Sequence, residues 1–297
     1  MRFDTGKTAL VVLNYNDSET TQEFVNRALN LSLVEYVVVV DNCSTDDSVP
    51  KLQSLESNSV RLVLAENNQG YAAGNNLGAR YAIDTLGVSY LLIANPDTVL
   101  NDKAVKAIVD YLAEVSNVGV VTCKMVMKDT YHVPSAWPLP SFGSCLLEAV
   151  PGLDKLLPRK GIVDDGPASG PIKVGAAAGS FFGVRADSFD EVGGFDERTF
   201  LYYEENILGA KIARAGMQSY YLPYASYIHD HQVSICKSLL DKRRMFEIAQ
   251  ESRELYCREY LDCGPISLGL LRGVFRVGLA LYLVCLTMRD AIIRSCS

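Results

Sequence analysis

The chain has 297 residues, of which 48% are hydrophobic and 21% are charged, and its net charge is −7. This composition is ordinary for a globular protein with a large core, and one α/β domain can reach this length. The acidic balance argues against a nucleic-acid partner, because phosphate backbones are bound by clustered Lys and Arg. The first apolar run, residues 10–13, is too short for a signal peptide. The eight cysteines form no C-x-x-C pair, so we expect a reduced, cytoplasmic protein.

Strand-like and helix-like segments alternate in the N-terminal part of the chain. The predicted order is strand 8–13, helix from about 18, strand 36–40, strand 60–64, helix 75–86, strand 90–93, helix 102–115 and strand 118–122. The 36–40 run, YVVVV, is typical of a strand buried on both faces. Ser44 and Asp47, three residues apart, predict a helix N-cap box. The alternation predicts βαβ units and a mainly parallel sheet.

The alternation is interrupted between about residues 133 and 171. This stretch contains seven of the eleven prolines and the only tryptophan, Trp137. A long irregular stretch in a compact domain is commonly a functional loop, and we expect one here. The elements predicted after it are a strand at 172–178, a loop at 193–196, a helix at 204–215 and a strand at 218–222.

The C-terminal segment, from Gly269 onward, is apolar and carries four arginines against one aspartate. Its uncharged run, 277–288, is shorter than the roughly 20 residues that span a bilayer. Such a helix can lie in the headgroup region of a membrane, or it can pack on the core with its arginines in solvent. Because its apolar residues lie almost all round the helix, we favour the membrane interface. We therefore expect residues 1–235 to form the main domain and 236–297 a helical extension.

Polar residues follow four of the predicted strands, namely Asn14, Asp41, Asn67-Asn68 and Asn95-Pro96-Asp97. In open parallel sheets, ligands bind beyond the carboxyl ends of the strands. Asp41 can accept a hydrogen bond from the imide N–H of uracil or thymine, or it can simply favour a helix N-terminus. Asp97 offers carboxylate oxygens to Mg²⁺ or Mn²⁺, which keep waters and substrate phosphates as further ligands. A lone Asp after a strand is, however, more often a turn former.

Two further positions carry groups that can act in catalysis. Glu204 and Glu205 begin a predicted helix, where one of them can deprotonate a hydroxyl, although acidic residues are common in any first helical turn. His229, one of three histidines, follows a predicted strand and can ligate a metal as a neutral imidazole. By default, a single histidine is an ordinary polar residue.

Six segments, taken together and in this order, resemble the inverting glycosyltransferases of family 2, most closely their rhamnosyltransferase-like branch. The segments are VVLNYN (11–16), VVVVDNCSTDDS (37–48), ENNQGYAAGNNLG (66–78), LLIANPDT (91–98), the stretch 179–205 and the run 222–234. The resemblance implies an α/β GT-A fold: a Rossmann-like, mainly parallel sheet flanked by helices, with a C-terminal helical extension. It also implies that residues 1–235 bind the nucleotide sugar and carry the catalytic site.

The resemblance implies which residues would contact the donor. Asn14 and Asp41 would lie against the nucleoside, with Asp41 contacting the base. Asn76 and Gly78 match the N-x-G end of the loop that lines the donor pocket.

The resemblance also implies a metal site and a base. Asn95 and Asp97 stand where the family has Asp-x-Asp, so Asn95 would be a donor-site residue and Asp97 a ligand of Mg²⁺ or Mn²⁺. His229 matches a downstream histidine that resembles a second metal ligand. Glu205 would be the catalytic base that deprotonates the acceptor.

The predicted function is therefore a metal-dependent, inverting sugar transfer in cell-surface polysaccharide synthesis, such as O-antigen or capsule. The donor would be dTDP-rhamnose or, next, a UDP-sugar, and the acceptor a glycan or a lipid-linked glycan. The protein would be peripheral on the inner face of the plasma membrane, because its C-terminus is basic and apolar.

Two alternatives remain open at this point. Ile207 occupies a position that is acidic in the family, and Arg253-Glu254 replaces an Arg-Asn pair, so the chain is alternatively a catalytically inactive homologue that binds nucleotide sugars. A sugar-phosphate nucleotidyltransferase is disfavoured, because a Gly-rich loop with Arg or Lys is expected after its first strand and residues 14–16 read Asn-Tyr-Asn.

Overall fold

The computed structural model describes residues 6–127, 134–151, 153, 170–230 and 242–295, with residues 242 and 285–295 described by their backbone only. The chain divides into two compact units. The main unit comprises the described parts of residues 1–139, 161–200 and 204–238. The helical unit comprises the described parts of 140–160, 201–203 and 239–297, so it includes two short segments from before residue 235.

The main unit is built on a sheet of nine described strands. These strands are β1 Thr8–Asn14, β2 Tyr36–Asp41, β3 Val60–Leu64, β4 Tyr90–Ala94, β5 Thr98–Val99, β6 Val118–Met127, β8 Ile172–Val174, β10 Phe181–Arg185 and β11 Gln218–His229. Their order is β3-β2-β1-β4-β10-β6-β11-β5, and β8 pairs with β11. A separate antiparallel pair is formed by β7 (Ala136–Trp137) and β9 (Ala176–Ala177).

The direction of the strands brings distant segments to one edge of the sheet. β3, β2, β1 and β4 are parallel, so their carboxyl ends lie together. β10 runs antiparallel between β4 and β6, with Phe181 opposite Ala94, so residues 178–180 lie at the same edge. β11 is parallel to β6 and also ends there, at His229. The predicted α/β sheet is confirmed, with mixed pairing beyond β4.

Helices cover both faces of this sheet. They are α1 Ser18–Ala28, α2 Ser48–Gln53, α3 Tyr71–Asp84, α4 Asp102–Glu114, α6 Ala186–Glu191 and α7 Glu204–Arg214. Val37 and Val39 belong to one apolar cluster, and Val38 and Val40 to another. Because successive side chains of a strand point to opposite faces, the YVVVV strand is apolar throughout in order to bury both of them.

The structure corrects several predicted elements. The N-cap box at Ser44 and Asp47 is wrong, because α2 begins at Ser48 and has no side-chain cap bond. α3 begins at Tyr71 rather than at residue 75. The stretch from 133 to 171 is not wholly irregular, since it contains β7 and the helix α5, Phe142–Glu148. Of that stretch, residues 133, 152 and 154–169 lie outside the described residues, as do residues 231–241, where the extension was predicted to begin.

The helical unit contains α5 and two C-terminal helices, α8 Lys242–Glu259 and α9 Pro265–Ser295. The segment Pro265–Val284 has a mean hydropathy of 1.6, and 28% of its apolar 18-residue window is buried. It is long and apolar enough to cross a membrane by length and composition alone, a test that the core helix of a soluble protein also passes. The sequence prediction judged this segment by the uncharged run 277–288 alone, whereas the apolar segment of the helix begins at Pro265 and includes Arg272 and Arg276.

Candidate active site

The ends of β1 and β2 carry a buried hydrogen-bond network. Asn14 and Asp41 lie opposite each other, and each is 1% exposed. Asn14 Nδ2 donates to Asp41 Oδ1 (2.8 Å), and Asn14 Oδ1 accepts from the Thr21 hydroxyl (2.9 Å). Ser44 donates its hydroxyl to Asp41 Oδ1 (2.6 Å) and its N–H to Oδ2 (2.9 Å). A carboxylate oxygen can accept two hydrogen bonds, so Oδ2 can still accept one from a base.

The loop that leads into α3 is held by side-chain amides. Asn42 Nδ2 donates to Asn68 Oδ1 (2.9 Å) and to the Gly70 carbonyl (3.2 Å). Gly70 has a φ of +94°, and a Cβ there would lie 1.9 Å from the Phe200 carbonyl oxygen. The N–H of Tyr71 donates to that carbonyl (2.9 Å). This close approach requires glycine and fixes the first turn of α3.

Asn76 and Gly78, on α3, make structural contacts in the main unit. Asn76 Oδ1 accepts from the Phe195 N–H (2.9 Å), and its Nδ2 donates to the Phe195 carbonyl (3.0 Å). A Cβ at Gly78 would lie 2.6 Å from methyl groups of both Val11 and Val40, so glycine lets α3 pack closely on β1 and β2. The assignment of both residues to the donor pocket stays a prediction.

Asp97 and His229 meet although they are 132 residues apart in the sequence. β5 pairs with the end of β11, placing His229 opposite Thr98, and His229 Nε2 lies 3.2 Å from Asp97 Oδ1. Both residues are buried. Asn95 lies on the same turn, where its N–H donates to the Ser180 carbonyl (2.9 Å). The structure thus places the predicted metal ligands side by side, while metal binding itself stays a prediction.

The donor set of this pair fits a divalent cation. Carboxylate oxygen suits Mg²⁺ and Mn²⁺, and an imidazole nitrogen also ligates first-row transition metals. Within the described part of the chain, no group of three or more His, Cys, Asp or Glu side chains is placed to hold a metal. A cation at Asp97 and His229 would therefore need ligands from substrate phosphates and water, as is usual for Mg²⁺ sites.

Glu205 lies in the first turn of α7, beside the start of β10. Glu204 is buried, whereas Glu205 is half-buried. The Gly179 N–H donates to Glu205 Oε1 (3.2 Å). Burial raises the pKa of Glu205, and hydrogen bonds from the backbone N–H groups of Glu205 and Gly179 offset part of that rise. A raised carboxyl pKa is the adjustment that general-base catalysis near neutral pH favours.

Tyr71 is a site residue that the sequence did not reveal. Its hydroxyl donates to the Gly179 carbonyl (2.7 Å), on the residue that also contacts Glu205. Burial, and then the negative charges of Glu205 and Glu204, raise the pKa of Tyr71 well above its ordinary value, so it is a neutral donor. An aromatic residue after a glycine is common in sequences, and no pattern singles out Tyr71.

The two residues after Glu205 are fixed by packing. Asn206 Oδ1 accepts from the indole N–H of Trp137 (2.7 Å), and Ile207 is fully buried. An aspartate at position 207 would be a buried charge, which needs a partner to be tolerated. The isoleucine therefore needs none of the polar partners that an acidic residue would require.

These elements form a GT-A fold. The mannosyltransferase PcManGT from Pyrobaculum calidifontis, solved with GDP-Man and Mn²⁺, matches 97% of this chain and 80% of its own, with a TM-score of 0.53 and 14% identity.

The chain belongs to glycosyl transferase family 2, whose sequence profile matches residues 9–193, and it is rhamnosyltransferase-like. An N-acetylglucosaminyl-diphospho-decaprenol L-rhamnosyltransferase of Mycobacterium tuberculosis is 30% identical over 206 residues, which are 65% of this chain and 66% of the relative. The low-salt glycan biosynthesis hexosyltransferase Agl10 of Haloferax volcanii is 26% identical over 202 residues, 66% of this chain and 58% of the relative. The matches thus span 58% and 66% of the length of these two relatives.

Proposed function

We propose that the protein is an inverting glycosyltransferase that moves a sugar from a nucleotide-diphosphate donor to a hydroxyl of a glycan acceptor. The observation that carries this proposal is the placement of three groups at one edge of the sheet. These groups are the buried Asn14–Asp41 pair, the Asp97–His229 pair and the carboxylate of Glu205. Membership of glycosyl transferase family 2 also supports the proposed sugar transfer.

The residues divide the reaction between them. Asn14 and Asp41 would hold the nucleoside, with Asp41 accepting from the base N–H. Asp97 and His229 would hold Mn²⁺ or Mg²⁺, and a bound cation would supply positive charge for the diphosphate leaving group. Glu205 would take the proton of the acceptor hydroxyl as its oxygen bonds to the anomeric carbon. The bond from that carbon to the phosphate oxygen breaks on the opposite face, so the configuration inverts in one step without a covalent enzyme intermediate.

The donor that we propose first is dTDP-rhamnose, and a UDP-sugar is the next. The rhamnosyltransferase-like branch supports this choice. The acceptor would be a lipid-linked glycan of cell-surface polysaccharide synthesis, such as O-antigen or capsule. A relative whose name gives N-acetylglucosaminyl-diphospho-decaprenol as its acceptor supports the lipid-linked acceptor.

We also propose that α9 contacts the cytoplasmic face of the plasma membrane. Its exposed apolar residues share one helical face and are Ile266, Leu270, Val277, Leu281 and Val284. A helix with such a face and flanking arginines can lie in the headgroup region. Leu270→Gln combined with Leu281→Gln should reduce co-flotation with anionic liposomes, whereas Leu29→Gln, at an exposed site of the main unit, should not. Unchanged flotation of the double variant would show that α9 makes no such contact.

The first experiment measures nucleoside-diphosphate release from a panel of sugar nucleotides, with Mn²⁺ or Mg²⁺ and a membrane extract as acceptor. Wild type is compared with Glu205→Gln and with Glu191→Gln, an exposed glutamate at the end of α6. Acceptor-dependent release with one donor, lost only in Glu205→Gln, is the expected result. Donor binding without turnover in the presence of any acceptor would favour the inactive homologue. The presence of Ile207 at a position that is acidic in the family is the sequence feature that supports this alternative. Absence of binding for every donor would refute the proposed function.

A further inference from the structure

We propose that Tyr71 and Gly179 are positioning residues that set the place of the Glu205 carboxylate. The contact among these three residues is a feature of the structure. The claim that Glu205 is the base rests on the proposed function.

The absence of a side chain at Gly179 leaves room for functional groups. A Cβ built there would lie 2.7 Å from Glu205 Oε1, 3.3 Å from the Tyr71 hydroxyl and 3.4 Å from Glu205 Cδ, and these are its three nearest atoms. The two glycines of α3, Gly74 and Gly78, differ. At Gly74 the nearest atom is a methyl of Leu13 (2.4 Å), and Gly78 faces valine methyls. Those two glycines serve core packing, whereas Gly179 serves the carboxylate.

Two hydrogen bonds hold Gly179 from opposite partners. The Tyr71 hydroxyl donates to its carbonyl (2.7 Å), and its N–H donates to Glu205 Oε1 (3.2 Å). The next residue is fixed as well, because the Ser180 carbonyl accepts from the Asn95 N–H (2.9 Å) and its hydroxyl bonds to that of Tyr227 (2.7 Å). The position of the Glu205 carboxylate therefore depends on α3, β4 and β11 as well as on its own helix.

The charges around Tyr71 and Glu205 determine which of these two groups ionises. The negative charges of Glu205, Glu204 and Asp97, and the neighbouring Tyr227, add to burial in raising the pKa of Tyr71. Tyr71 therefore stays a neutral donor while Glu205 changes charge. Without the Tyr71 hydroxyl, Gly179 is held less firmly and its N–H stabilises the Glu205 carboxylate less well. The pKa of Glu205 should then rise further, because a hydrogen bond to the charged form lowers a carboxyl pKa.

Tyr71→Phe removes only the hydroxyl. We expect kcat at neutral pH to fall roughly 3- to 10-fold, as for a base that is less well placed and less fully ionised. The acidic limb of the kcat profile should move to higher pH, while KM for the donor stays within about twofold, since the nucleoside contacts lie elsewhere. The control is Tyr81→Phe, the same substitution on the same helix at a tyrosine packed against the apolar cluster.

Gly179→Ala tests the space for the carboxylate. Its Cβ meets only the ends of flexible side chains, so the variant should fold and its carboxylate should be displaced. We expect a larger loss of kcat, of roughly 10²-fold, because a displacement of about 1 Å has that effect. Gly264→Ala is the matched control, because among the described residues a Cβ there has no neighbour within 4 Å.

A measurement independent of turnover separates this proposal from the proposed function. Glutamate labelled with ¹³C at the carboxyl carbon is titrated by NMR in wild type and in Tyr71→Phe, and Glu205→Gln identifies the Glu205 signal. An upward shift of the Glu205 titration in Tyr71→Phe, absent in Tyr81→Phe, supports the positioning role even if no donor is turned over. An unchanged titration in Tyr71→Phe overturns it, whatever happens to kcat.

Discussion

Two regions at the same edge of the sheet differ in how their buried polar side chains are stabilised. At the ends of β1 and β2, the polar atoms of Asn14, Asp41 and Ser44 satisfy one another inside the protein. Near the ends of β4 and β11 and at the start of α7, the carboxyl groups of Asp97, Glu204 and Glu205 lie around Tyr71. Burial raises the pKa of Glu205 there. The first region stabilises the fold because each of these polar side chains has hydrogen-bond partners inside the protein, whereas the burial that raises the pKa of Glu205 costs stability when this carboxyl group is ionised. Substitutions should therefore act differently in the two regions.

The largest effect is expected at the reaction side. Asp97→Asn removes the carboxylate proposed to hold the cation. The positive charge of a bound cation stabilises the leaving group by several kcal/mol. Turnover should fall by about 10²-fold or more, with little change in the free energy of unfolding. Asp110→Asn is the control, since this half-exposed residue forms a surface ion pair with Lys106. Full, chelator-insensitive activity of Asp97→Asn would remove the metal site from the proposal.

The nucleoside side should respond in stability and donor binding. Asp41→Asn keeps one acceptor oxygen and places amide hydrogens at the other position, against either Asn14 Nδ2 and the Ser44 hydroxyl or the Ser44 N–H, which leaves buried groups unpaired. We expect the free energy of unfolding in urea to fall by about 1–3 kcal/mol and donor affinity, measured by calorimetry, to weaken. Turnover at saturating donor should change much less. Asp84→Asn, at the exposed end of α3, serves as control. Equal loss of kcat and of affinity would erase the distinction between the two regions.

Ser44→Ala should give a smaller version of the same effect. It removes the hydroxyl that donates to Asp41 Oδ1 and accepts from the Asn16 N–H (2.9 Å). The expected loss of unfolding free energy is about 1 kcal/mol, the ordinary value for such a bond. Ser54→Ala, whose exposed hydroxyl donates to the Lys51 carbonyl, should change stability less. A loss at Ser44 no larger than that at Ser54 would mean that the network contributes nothing beyond a surface contact.

The smallest effect is expected in the thermal stability of Glu205→Gln. A carboxyl whose pKa is higher in the folded than in the unfolded state stabilises the fold at low pH, and that stabilisation is lost as the pH rises through the folded-state pKa. Glutamine, which stays neutral, retains this stabilisation at every pH. The variant should therefore have a higher Tm than wild type at neutral pH, and the difference should shrink as the pH is lowered. A lower Tm at neutral pH would show that ionised Glu205 is stabilised by the fold.

The sequence by itself determined the elements whose signals are local. The β-branched run at β2 and the alternation of strands and helices predicted the sheet, because side-chain pattern and burial are linked within a few residues. The same reasoning placed Asn14, Asp41 and Asp97 at strand ends. It failed at the start of α3, where the preceding segment 67–70, Asn-Asn-Gln-Gly, and then Gly74 look like a continuing loop. The helix begins there because Gly70 and Tyr71 are held against the Phe200 carbonyl, a contact far away in the sequence.

Only the tertiary structure decided which of the candidate groups meet. The pairing of β5 with β11 brings His229 to Asp97, and the antiparallel insertion of β10 brings Gly179 to Tyr71 and Glu205. Strand register and packing set these distances, across 132 residues for Asp97 and His229 and across 108 residues for Tyr71 and Gly179, and residue type and spacing do not encode them. The sequence indicates what each side chain can do chemically, whereas the fold determines which of these side chains lie together.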